Sequence, residues 1–211
     1  MLERVADSSS DVFVSCIEIL AQSIPVNEQL STERITTLLA GGDYRLYSFR
    51  FDNEIVGMAL VYLPQRHAFA WLDYMAIRAD RRAQGLGTQM FGEIVKIANR
   101  ERTTAGWLFL EVDDDRQGSD EVRRMNKRRI EFYRRLGAQL LANVAYCFPG
   151  RAGTPVPMRL MAYRLQAGGG LSQQSLSSAV EEVFVQIHDR PKDDSLLHWV
   201  LDRMPSVMSL E

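Results

Sequence analysis

The chain has 211 residues, 46% of them hydrophobic and 25% charged, and a net charge of -2 at neutral pH. It is long enough for one sizeable core and ordinary in composition for a globular protein. The near-neutral charge argues against a dedicated nucleic-acid partner, and no run reaches the ~18 apolar residues of a membrane span. Cys16 and Cys147 have neither metal nor redox spacing and read as reduced core fillers. His67, His188 and His198 are scattered, so no metal is expected. The N-terminus lacks the apolar stretch of a signal peptide, which makes the cytoplasm the expected location.

Leu2 to Val5 reads as a short strand. Val12, Phe13, Cys16, Ile19 and Leu20 then recur at helical spacing behind the Ser8-Ser9-Ser10 cap cluster. A loop over 23–28 leads to a second helix over about 32–40, which stops at Gly41-Gly42. Tyr47, Phe49 and Phe51 alternate as a strand, Asp52-Asn53 makes a tight turn, and 55–63 returns as the partner. A third long strand is expected over 68–77. Leu86, Met90, Ile94 and Ile97 give the following helix its buried face. Residues 107–112 are nearly all apolar, as in a central strand. A helix over 120–136 precedes late strands over 140–148 and 158–165, joined by a Pro/Gly-rich loop. Gly168-Gly169-Gly170 divides a domain over 1–167 from a helical extension over 168–211. In the extension, Leu176, Ala179, Val180, Val183, Phe184 and Ile187 form one stripe, and Leu196 to Met204 suggests another helix. The stripe suits an appendage packed on the sheet, a lid, or a homodimer contact.

The stretch from Trp71 to Phe91 carries the clearest chemistry. An apolar strand runs into Arg81-Arg82-Ala83-Gln84-Gly85-Leu86-Gly87, and a helix opens there. Glycines let backbone N–H groups approach an anion, and a helix N-terminus adds partial positive charge. Arg81 and Arg82 add formal charge and forked donors. The layout points to a pyrophosphate-bearing ligand. A Walker loop is excluded, because Gly87 is followed by Thr88-Gln89. A dinucleotide fingerprint is excluded too, because its third glycine position holds Met90. What remains, Arg82-x-x-Gly85-x-Gly87 after a strand, resembles the acetyl-CoA pyrophosphate loop of the GNAT N-acetyltransferase superfamily.

A second segment, Asn126 to Ala138, resembles the later signature of that superfamily, with Asn seven residues before Tyr133 and a helix ending at Leu136-Gly137. Ala138 replaces the usual Phe. Two helical turns separate Asn126 from Tyr133, so they share a face, and Gly137 suits the C′ position. The resemblance covers roughly residues 2 to 165. It implies an α/β (α+β) fold with a mixed, mostly antiparallel sheet flanked by helices. It also implies acetyl-CoA as cosubstrate, no metal, and a primary amine of a small molecule or peptide as acceptor. Coenzyme contacts would fall on Met75, Ala76 and Ile77, on Arg82, Ala83, Gln84, Gly85, Leu86, Gly87 and Thr88, and on Asn126. The family's strand carries a bulge near its end, which is not visible in this sequence.

Amide formation from a thioester needs a neutral amine, donors for the oxyanion and a proton for the leaving thiolate. By resemblance, Tyr133 matches the tyrosine beside the CoA sulfur and is the candidate acid, and a backbone N–H in Met75-Ala76-Ile77 serves the oxyanion. Glu111, in Leu110-Glu111-Val112, resembles the strand-end glutamate that acts as base in ribosomal-protein N-terminal acetyltransferases. Asp73 is the rival base, and strand alternation puts it on the face of Met75 and Ile77. A carboxylate within a strand needs a partner, so both invite a merely hydrogen-bonded role as well, and a water chain can replace a base. Asp113-Asp114-Asp115 suit either a lure for a cationic amine or a solvated loop. The basic face of the helix over 120–136 suits either the 3′-phosphate of CoA or solvent. For the chain as a whole, the alternative is a non-catalytic acyl-CoA sensor or interaction protein.

Overall fold

A computed structural model describes residues 1–101, 105–150, 154–167 and 170–211. The chain forms two compact units, Met1–Leu108 and Phe109–Glu211. In the first, β1 (Leu2–Val5), β2 (Tyr44–Phe51), β3 (Glu54–Tyr62) and β4 (Phe69–Ile77) pair in sequence order, all antiparallel. Asp52 and Asn53 both take positive φ, 50° and 63°. That is the conformation a two-residue hairpin requires, and Asp and Asn tolerate it. Helix α1 (Asp11–Ser23) starts at the expected serine cluster, and α2 (Thr32–Ala40) is capped by Ser31. Ser10 Oγ accepts from Phe13 N at 3.2 Å, and Ser31 Oγ accepts from Arg34 N at 3.1 Å. Tyr74 Oη donates to Glu28 O at 2.7 Å and accepts from Leu30 N at 3.1 Å, which ties the α1–α2 connection to β4. Helix α3 (Leu86–Glu101) buries Leu86, Met90, Phe91, Ile94 and Ile97. A Cβ on Gly57 would lie 2.8 Å from Ala76 O and 3.3 Å from Met90 Sδ, so only glycine permits this close approach.

The division between the units falls within β5 (Trp107–Asp113). The second unit continues with α4 (Asp120–Arg135), β6 (Ala138–Leu140), β7 (Tyr146–Pro149), β8 (Pro155–Arg164), α5 (Gln173–Gln186) and α6 (Ser195–Leu201). Strand β8 lies between β5 and β6 and also pairs with β7. Ser119 caps α4, and Gly137 ends it at φ 97°. The expected strand over 140–148 is two strands with a turn between. The turn is fixed from outside: Asn143 Nδ2 donates to Val207 O and its Oδ1 accepts from Ser209 N, both at 2.8 Å. Leu140 and Glu211 exchange backbone bonds at 2.8 and 3.0 Å. Nothing local in 140–148 could announce a partner some 65 residues away.

Gly168 and Gly169 lie outside the described residues, as does part of the Pro/Gly-rich loop. From Gly170 onward the chain belongs to the second unit. All six stripe residues of the extension are 0% exposed. The chain itself covers them, so the stripe is not available to a second copy. Among the described residues, no helix is long and apolar enough to cross a membrane.

Candidate active site

In the first unit, β4 runs into a 3₁₀ turn over Ala79–Arg81 and then into α3. Ala83 and Gly85 both take positive φ, 62° and 77°. Ala83 pays a steric cost there that glycine does not. The first N–H groups of α3, including those of Gly87 and Thr88, sit where a helix has no carbonyl of its own to offer. A Cβ on Gly85 would meet no atom within 4 Å, so the space before the turn is open. The arginines are placed less simply than their charge suggested. Arg81 Nη2 donates to Glu54 Oε2 at 2.5 Å, in a cluster where Arg78 also pairs with Asp80 at 2.7 Å. Arg82 Nε donates to Ile77 O at 2.9 Å, and its Nη2 to Ser23 Oγ at 3.3 Å. Arg82 therefore braces the turn against the end of β4 and α1.

Strand β4 carries an irregularity before Met75-Ala76-Ile77. Leu60 pairs with Tyr74, yet Val61 pairs with Leu72, so Asp73 is one residue too many. Leu72 and Tyr74, two apart, therefore follow opposite faces of β3. The slip falls between Leu72 and Tyr74; from Asp73 to Ile77 the strand still alternates, with Tyr74 and Ala76 buried and Asp73, Met75 and Ile77 half-buried. The Asp73 carboxyl accepts a hydrogen bond from Tyr44 Oη at Oδ2, while its buried Oδ1 has no partner. Burial pushes it up to about 7, against the Tyr44 hydrogen bond, which lowers it.

In the second unit, Asn126 and Tyr133 lie on the buried face of α4, as the seven-residue spacing predicts, with Ile130 between them. Asn126 Nδ2 donates to Asp114 O at 3.1 Å, which fixes the connection from β5 to α4. Tyr133 is 7% exposed, and burial pushes its phenol up to about 12, against the lowering effect of the Arg129 charge. Glu111, on β5, accepts a hydrogen bond from Tyr146 Oη. The three aspartates are not a bare acidic run, because each meets an arginine. Asp113 pairs with Arg129, Asp114 with Arg116 at 2.8 Å, and Asp115 with Arg159 at 3.0 Å. Burial works to raise the Asp114 carboxyl, but the side-chain and backbone hydrogen bonds of Arg116 outweigh it and hold it low.

The structure thus places Met75 to Ile77, Arg82 to Thr88 and Asp73 in the first unit. Glu111, Asn126 and Tyr133 are in the second. Two hydroxyl partners, Tyr44 and Tyr146, have no counterpart in the sequence reading. Each is brought to its carboxylate by strand pairing across many residues, for which no local signal exists. Among the described residues, no group of three His, Cys, Asp or Glu side chains could hold a metal ion.

Solved structures with the same fold include an acetyltransferase ascribed to the GNAT family from Bacteroides thetaiotaomicron. It is 20% identical with a TM-score of 0.69, over 88% of this chain and 96% of that one. A GNAT acetyltransferase from Elizabethkingia anophelis, solved with acetyl-CoA bound, is 16% identical with a TM-score of 0.54, over 78% and 97%. The ribosomal-protein-S18-alanine N-acetyltransferase of Escherichia coli is 19% identical with a TM-score of 0.54, over 81% and 99%. Comparison with curated proteins finds no match. The family model described as Acetyltransferase (GNAT) family matches residues 13–138, which takes in the turn before α3, Glu111, Asn126 and Tyr133. With its mixed α/β fold of strands and flanking helices, the chain belongs to the GNAT acetyltransferase family.

Proposed function

We propose that the protein transfers an acetyl group from acetyl-CoA to a primary amine by direct attack. The observation that carries this reading is the turn from Ile77 to Leu86: left-handed at Gly85, open in front, and leading into the N-terminus of α3. Such a terminus favours pyrophosphate. The N–H groups over Gly85 to Thr88 take the pyrophosphate, and the backbone of Met75, Ala76 and Ile77 takes the pantetheine and the oxyanion. Arg82 holds the turn, and Asn126 presents its Oδ1 to the coenzyme. The amine nitrogen attacks the thioester carbonyl carbon and loses a proton to Glu111. The C–S bond then breaks, and the thiolate takes its proton from Tyr133. Acetyl-CoA in the Elizabethkingia neighbour supports the donor. The Leu110-Glu111-Val112 strand end and the S18-alanine enzyme among the neighbours support an amine acceptor.

Thiol release from acetyl-CoA, measured with a panel of primary amines, tests this directly. Tight CoA binding with no release under any amine would indicate the non-catalytic sensor instead. Gly85→Val should weaken CoA binding at least tenfold by calorimetry, because a β-branched residue disfavours φ 77° and its Cβ occupies the open space. Unchanged affinity in a folded variant removes the turn from the site.

Asp73 remains a second reading for the base, favoured by its value of about 7 and its unpartnered Oδ1. A base poised near the working pH is efficient. Glu111→Gln should remove the acid limb of the turnover profile, whereas Asp73→Asn should keep it; the reverse ranking moves the role to Asp73. Melting curves give a second check. The folded-state value of Asp73 is raised from 3.8, so its contribution to stability is complete below 3.8 and lost as pH rises through about 7. Asp73→Asn should flatten that loss between these values.

A further inference from the structure

Strand β7 brings a second group to Glu111. Tyr146, 3% exposed, opens β7 and pairs with Met158 of β8, the strand beside β5. The sheet therefore sets the distance at which its hydroxyl meets Glu111 Oε1. Behind Tyr146 stands α5. The Phe184 ring meets the Tyr146 ring edge-on, with centroids 6.3 Å apart and planes at 82°. His188 continues the stack, 6.3 Å from Phe184 and 4.8 Å from Phe148 of β7. Phe184 is fully buried, so the Tyr146 ring cannot swing away without displacing the helix.

We infer that Tyr146 is a positioning residue for Glu111, and that α5 is the brace that holds it in place. This rests on Glu111 being the base. A hydrogen bond to Oε1 restricts the carboxylate's rotation and favours the charged form that can accept the amine proton. The surrounding charges are matched in pairs: Asp113 with Arg129 of α4, Asp114 with Arg116, and Asp115 with Arg159 of β8. By this assignment the extension serves the acceptor half of the reaction.

The test compares Tyr146→Phe, Phe184→Leu and Glu111→Gln in the full-length chain. Glutamate labelled with carbon-13 at the carboxyl reports the Glu111 titration by NMR, and its signal is the one that Glu111→Gln deletes. The pH profile of thiol release from acetyl-CoA, with a panel amine that serves as acceptor, reports the reaction. Tyr146→Phe keeps the ring against Phe184 and removes one donor to the charged carboxylate. The proton is then held to higher pH. The Glu111 midpoint and the acid limb should both rise by roughly half to one pH unit. Turnover should fall about three- to tenfold, with the KM for acetyl-CoA unchanged. Phe184→Leu should move the limb the same way by less. A midpoint and limb unmoved in Tyr146→Phe overturn the positioning role, whatever becomes of Phe184→Leu. If Glu111→Gln itself retains the acid limb, the base assignment fails, and the proposal fails with it. If Glu111→Gln loses the limb while Tyr146→Phe leaves it in place, the base stands and only Tyr146 is wrong.

Discussion

Tyr133→Phe is expected to lower turnover by about ten- to a thousand-fold while CoA affinity stays near wild type. The substitution preserves the buried ring and its edge-on contact with Phe132, whose centroid lies 5.0 Å away. Only the hydroxyl, and with it the donated proton, is removed. The departing thiolate, near ~8.5 if it resembles cysteine, gains from a proton as the C–S bond breaks, which keeps it from re-attacking the new amide. A phenol pushed up to about 12 is a weak acid in the ground state, but it is never lost to ionisation in a normal assay. It should therefore contribute no alkaline limb between pH ~6 and ~10. Single-turnover kinetics with acetyl-CoA and an accepting amine isolate the chemical step. A variant with the wild-type single-turnover rate would take Tyr133 out of the reaction.

Ending the chain at Ala167 is expected to collapse the second unit. Leu176, Val180, Val183, Phe184 and Ile187 are all fully buried. At ~1.5–3 kcal/mol for each large apolar side chain, their loss is on the order of 10 kcal/mol, comparable to the whole stability of a typical domain. The cut also removes Val207 and Ser209 from Asn143, and Glu211 from Leu140. It strips Tyr146 and Phe148 of their ring contacts as well. Newly exposed apolar surface of this extent promotes association. Melting curves and light scattering should show a lost or strongly lowered transition and aggregated mass. A truncated protein that melts like the full chain and keeps the full chain's oligomeric state would show that the extension is dispensable to the fold. Phe184→Ala provides a graded version, at about 3–5 kcal/mol.

By itself, the sequence determined the features that depend on neighbours along the chain. Ser10, Ser31 and Ser119 cap their helices because a side-chain oxygen reaches an N–H only three residues on. Asp52-Asn53 turns a hairpin, Gly137 ends α4, and Asn126 and Tyr133 share a buried face, all from local geometry and the helical period. The turn before α3 was legible for the same reason. Tertiary structure decided what depends on partners far along the chain. The register slip at Asp73 arises from pairing with β3, so alternation within β4 could not reveal it. The strand expected over 140–148 breaks because Asn143 bonds the C-terminal tail. Asp113 to Asp115 looked like one acidic run, but Arg129 of α4 and Arg159 of β8, with the neighbouring Arg116, divide it into ion pairs. Tyr146 reaches Glu111 only because β7, β8 and β5 lie in one sheet, and α5 fixes that contact from behind. A side chain's charge and hydrogen-bonding capacity are written in the sequence; which partner satisfies them is set by the packing that brings distant segments within a few ångströms.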